Sequence, residues 1–148
     1  MTPYKPITIS AAAFAFCRYG LALSLWIGII LQNIWVIAGV VLVLGLSYLL
    51  KVARAPMIVM YTQTINRLWR SRDEVVNEHA IRFAHLVGTI IGTVGLLAYG
   101  VNHLLGWIVI VLFATLKSLS ALGFCPAAKL YDCSTSGHCA FIPHPRGR

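Results

Sequence analysis

Four apolar stretches, each close to the thickness of a lipid bilayer, dominate this chain. They run from about Ala13 to Leu31, Trp35 to Leu50, Phe83 to Val101 and Trp107 to Phe124. A hydrocarbon core about 30 Å thick takes roughly 20 helical residues at 1.5 Å each. Inside lipid every backbone N–H and C=O must find a partner within the chain, so such stretches predict helices. Composition removes the soluble alternative. The 148 residues are 59% hydrophobic and 11% charged, with a mean hydropathy of +0.80. A soluble domain carries about 25% charged residues. A chain this short has no core large enough to hide so many apolar side chains. The second stretch is the shortest, and Val52 and Ala53 lengthen it if Lys51 snorkels.

The connections set the topology. Gln32-Asn33-Ile34 joins the first pair and Asn102-His103-Leu104-Leu105-Gly106 the second. Both are short enough to predict antiparallel hairpins, and neither contains Lys or Arg. Lys5, Arg18, Lys51, Arg54, Arg67, Arg70, Arg72, Arg82, Lys129, Arg146 and Arg148 all fall on the other side, and only Lys117 departs from the pattern. The positive-inside rule then puts both termini and the central connector in the cytoplasm, across the cell's inner (cytoplasmic) membrane. Trp35 and Trp107 open the second and fourth helices, where interfacial aromatics belong. The first stretch runs on into the second without a cleavage signature, so it reads as a retained helix and not a signal peptide. The net charge of +8 flanks apolar segments, which argues for a membrane surface and against nucleic acid as partner.

The expected architecture is an all-α integral membrane protein of four transmembrane helices in two hairpins. Hairpin one covers about 11–56, a connector about 57–80, hairpin two about 81–125, and a short helix with a flexible tail 126–148. In the connector, Met57, Tyr61, Thr64, Ile65 and Leu68 recur at helical spacing with Arg67, Arg70 and Arg72 mostly off that face. This predicts an amphipathic helix on the inner membrane surface. Asp73, Glu74 and Glu78 follow, placed to pair with Arg72 or Arg82. The order also hints at a tandem repeat. Ala55-Pro56 with Tyr61 ends one hairpin and Cys125-Pro126 with Tyr131 the other. Cys17-Arg18-Tyr19 and Ile81-Arg82-Phe83 enter them.

Chemistry points to sulfur. Cys17, Cys125, Cys133 and Cys139 all map to the cytoplasmic side, where reducing conditions disfavour standing disulfides. Cys125 precedes Pro126, which pushes it out of helical geometry and suits the first position of a new helix. There it would cap a helix N-terminus that favours thiolate. If the fourth helix runs on unbroken, Cys125 sits at a negative end instead. Cys17 adjoins Arg18 at a similar depth. Each of these two also reads as a small buried hydrophobe. Cys133 and Cys139 flank a Ser/Thr/Gly segment with His138, and His144 follows, but the spacing matches no standard zinc pattern, so no metal or cofactor is expected. Lys117, inside the fourth helix and on the same side as Cys125, is a candidate to hold an anion, or else snorkels. His85 and Arg82, at the start of the third helix, are further substrate-binding candidates. No phosphate loop, nucleophile elbow or dinucleotide fingerprint is present.

Gly123-Phe124-Cys125 followed by Leu130-Tyr131, with Arg82-Phe83-Ala84 opening the second half and Ala55-Pro56-Met57 closing the first, resembles a bacterial membrane family, domain of unknown function 4395. The likeness covers roughly residues 10–133. The family pattern carries a second cysteine three residues after the first, where this chain has Ala128, so Cys133 would have to replace it. The resemblance implies an association with sulfur metabolism and thiol redox proteins. The leading expectation is a thiol-redox or sulfur-handling membrane protein with Cys125 reactive and Cys17, Cys133 or Cys139 resolving. Its expected partners are lipid, a sulfurtransferase or thioredoxin-like protein, and other copies of itself. A non-catalytic scaffold or complex subunit, and a small oligomeric transporter, are the competing classes.

Overall fold

The structure, a computed structural model, describes residues 6–50, 55–64, 73–127 and 129–131. Most of these are helical. In chain order the elements are β1 (Pro6–Ser10), α1 (Ala11–Ile30), α2 (Ile34–Leu49), α3 (Pro56–Thr64), β2 (Asp73–Asn77), α4 (Glu78–Val101) and α5 (His103–Ala121). The proposed extension of the second helix through Val52 and Ala53, the arginines of the connector, and Cys133 and Cys139 lie outside the described residues.

The helix ends are written into the turns. At the end of α1, Gln32 takes φ 50°, and its N–H and that of Asn33 donate back to the Ile29 and Gly28 carbonyls at 3.1 and 2.9 Å. This is a left-handed C-terminal cap. The Asn33 side chain then accepts from the Trp35 N–H at 3.0 Å and starts α2. The second connection is tighter than the five residues expected. Asn102 alone separates α4 from α5, ending one and capping the other by accepting from the Leu104 and Leu105 N–H groups. The turn closes because Gly106 lies against the Tyr99 backbone, where any Cβ would collide.

Packing joins α1 to α2 and α5, and α4 to α2 and α5, in a closed ring. Phe113, Leu25, Ile37, Leu44 and Ile110 fill its centre. Glycines on α4 let its neighbours approach. A Cβ on Gly92 would meet Val41 at 2.5 Å and Phe113 at 3.3 Å. Small residues are the usual means of close helix contact in lipid. The outside of the ring is as apolar as its core, with Leu23, Ile30, Leu42, Leu97, Leu104 and Leu112 exposed. Three helices, α1, α4 and α5, are long and apolar enough to cross a membrane. With 16 residues, α2 spans about 24 Å and is the short member.

Two expectations change here. The fold is not all α, because β1 and β2 pair as a two-stranded antiparallel ribbon from Pro6↔Asn77 to Ser10↔Asp73. β-branched Ile7, Thr8, Ile9, Val75 and Val76 favour the pleat, but their partners lie far apart in sequence. The connector expected over about 57–80 holds β2 as well as a helix, and the part of the expected amphipathic helix at Ile65 and Leu68 lies outside the described residues. In α3 Ile58 and Tyr61 are buried with Met57 against Gly20, so this face packs on α1. α4 begins at Glu78, earlier than expected. That long apolar helix therefore holds a buried carboxylate in its first turn, the end where negative charge is favoured.

The two halves share an order of parts. Each opens with a strand running into a long helix, continues through an asparagine-capped helix, and ends at a helical turn begun by proline. Phe16 packs on Tyr61 at 5.4 Å in the first, and Phe83 on Tyr131 at 5.6 Å in the second.

Candidate functional site

α5 stops at Ala121 because Gly123 takes φ +101°. The Gly123 and Phe124 N–H groups return to the Ser120 and Leu119 carbonyls. The chain then straightens through Cys125, and Pro126 opens the next helical turn, with the Lys129 N–H donating to the Cys125 carbonyl at 3.1 Å. Of the two geometries open to Cys125, the structure has the broken helix. Arg18 reinforces the break. Its Nη2 donates to the Ser120 carbonyl and, at 2.8 Å, to that of Ala121. A guanidinium at a helix C-terminus satisfies orphan carbonyls and suits the dipole.

Beneath this corner lies a cavity of about 270 Å³. α1 supplies Phe14, Cys17, Arg18 and Leu21. The first turns of α4 supply Ala80, Ile81, Ala84 and His85, and the last turns of α5 supply Lys117, Ser120 and Ala121. Ile58, Val76, Asn77, Gly123 and Cys125 complete it. Five of the residues singled out from sequence therefore meet at one place: Cys125, Cys17, Lys117, Arg18 and His85. A smaller cavity of about 60 Å³ lies against Lys117, Ser120 and Cys125 on the α4–α5 side.

The thiols differ in access. Cys17 is buried at 3% exposure, Cys125 is half-buried, and both are free. Lys117 runs across to α4, where Gly88 makes room for it. A Cβ there would sit 2.9 Å from Nζ. His85 keeps its Nδ1 buried with no hydrogen-bond partner. Arg82 does not join this group. It lies on the side of α4 facing α2, donating from Nε to the Tyr48 carbonyl at 3.2 Å with its guanidinium over the Tyr48 ring. Asn77 and Ser120 line the cavity without having been singled out. Ser120 follows Lys117 by one turn, a spacing that places both on one face. Asn77 depends on the strand that the sequence concealed. Among the described residues no three His, Cys, Asp or Glu side chains gather as a metal site.

The two halves differ at this corner. Cys17 follows Phe16, whose ring packs on Tyr61, whereas Ala84 follows Phe83, whose ring packs on Tyr131. Cys125 precedes one helix-opening proline, whereas the fully buried Ala55 precedes the other.

A mostly helical chain with three helices able to cross a membrane, and a cavity at one end lined by thiols and a lysine, defines the class. The chain belongs to the family described as domain of unknown function 4395, whose model matches residues 10–135. No curated protein and no solved structure matches it.

Proposed function

We propose that this chain is a sulfur-handling thiol protein of the cytoplasmic membrane, with Cys125 as the attacking thiol and Cys17 as the resolving one. One observation carries the reading: two free thiols and a lysine line the same cavity. Their exposures give the order of action, since the half-buried Cys125 meets a substrate before the buried Cys17 does. The Cys125 thiolate attacks a sulfur electrophile, forming a new S–S bond while the old bond to that sulfur breaks and the leaving group departs with its electron pair. Attack by the Cys17 thiolate on the Cys125 sulfur then expels the bound group as a thiolate. The two thiols have become a disulfide and the substrate has gained two electrons. A thioredoxin-like or sulfurtransferase partner is the natural source or sink of that sulfur.

All four long helices cross the membrane in this reading, as two hairpins with both termini in the cytoplasm. Its support is the placement of charge. Arg18 reaches the C-terminal end of α5 and Arg82 that of α2, while the turns at 31–33 and Asn102 carry no Lys or Arg.

The test is alkylation in intact membranes with a small maleimide. Cys125 should label faster than Cys17, and Cys125→Ser should abolish reaction with a low-molecular-weight persulfide or disulfide. Unlabelled Cys125, or unchanged reactivity in the serine variant, would sink the proposal in favour of a non-catalytic scaffold.

A further inference from the structure

We infer that the cavity is an anion site whose charge is Lys117, and that it takes a small sulfur oxyanion bearing a transferable outer sulfur, presented to Cys125. The inference names a substrate class for the thiol reading and rests on it for the transfer step, although binding itself is separable. Its starting point is an imbalance of charge. Lys117 lines a cavity whose walls are largely apolar, from Phe14, Leu21 and Ile58 to Ala80 and Ile81, and no carboxylate is among its lining residues. An ammonium in such surroundings is costly without a counter-charge. Gly88 leaves room for the end of the Lys117 side chain over its backbone.

Two further groups suit an anion. The buried and unpartnered His85 Nδ1 is a donor in one neutral tautomer. Ser120 adds a hydroxyl to the lining. Arg18 plays a different part, because its Nη2 is spent on the end of α5. The volume, about 270 Å³, falls below the range of roughly 300–1,000 Å³ typical of drug-sized ligands, so the anion is small. With thiosulfate the transfer balances. The Cys125 thiolate bonds to the outer sulfur, the S–S bond of thiosulfate breaks, and sulfite leaves with the electron pair, so that Cys125 carries a persulfide.

The purified full chain in detergent is titrated with sodium thiosulfate, sulfate and chloride at equal ionic strength while thermal unfolding is followed. Thiosulfate and sulfate should raise Tm saturably, and chloride should not. Lys117→Met should weaken both at least tenfold. Lys117→Gln, which keeps a polar side chain of similar reach without the charge, should do the same and decides the matter if the first variant does not fold. In Cys17→Ser, where no resolving thiol can discharge the persulfide, thiosulfate should add the mass of one sulfur, whereas Cys125→Ser should still bind both anions but show no such gain. Oxyanions no better than chloride, or binding untouched by both Lys117→Met and Lys117→Gln, overturns the site. Anion binding with no mass gain in Cys17→Ser overturns the transfer step and leaves the site standing.

Discussion

Gln32 is the one non-glycine residue with positive φ among those described. A side chain in the left-handed region costs roughly 1–2 kcal/mol. Glycine relieves that strain but gives back about 0.5–1 kcal/mol through the entropy of its unfolded chain. Gln32→Gly should therefore stabilise the protein by about 0.5–1 kcal/mol, read as a higher midpoint of denaturation in detergent, while thiol reactivity stays unchanged. Single residues also show what the sequence disclosed of the site. Cys125, Cys17 and Lys117 stand out because a thiol before proline and a cation inside an apolar helix are conspicuous by type. His85 has nothing in the sequence to show that its Nδ1 goes unpartnered, since that depends on the faces of three helices at once. Arg82 was conspicuous for the same reason as Arg18, and only packing separates the one that caps α5 over the cavity from the one that turns to Tyr48.

Among the elements, the helices declared themselves by length and hydropathy, but their ends did not. The five-residue connection read between α4 and α5 shrinks to Asn102 because one side chain supplies the acceptor for two N–H groups. Replacing Asn102 with Ala should cost about 1 kcal/mol. Asn102→Asp should recover most of it, since a carboxylate accepts the same bonds and suits a helix N-terminus. Equal stability of the Ala variant and the unaltered chain, measured by thermal unfolding, would remove the cap from the account. The strands were hidden for a different reason. Five-residue runs such as Pro6–Ser10 merge with the apolar helix that follows, and pairing with Asp73–Asn77 cannot be read locally. The apolar spacing of α3 is legible in the sequence, but that Ile58 and Tyr61 are buried and that this helix packs on α1 is not.

The whole molecule turns on whether α2 crosses. Four crossings put both termini on one side, whereas the three long helices alone would put them on opposite sides. Fusions of a phosphatase and of a fluorescent protein after Gln32, after Asn102 and at each end of the full chain should report the two turns outside and both ends within. Ends on opposite sides would leave α2 short of the bilayer. The ribbon of β1 and β2 bears on how that arrangement is reached. Its first strand is made before α1, yet the residues that pair with it emerge only after α1, α2 and α3. Contacts so distant in sequence are slow to form. The wall that Val76 and Asn77 give the cavity can close only once the second half is being threaded. Until then Cys17 has an open side, so the order of biogenesis itself decides when this thiol passes from accessible to enclosed.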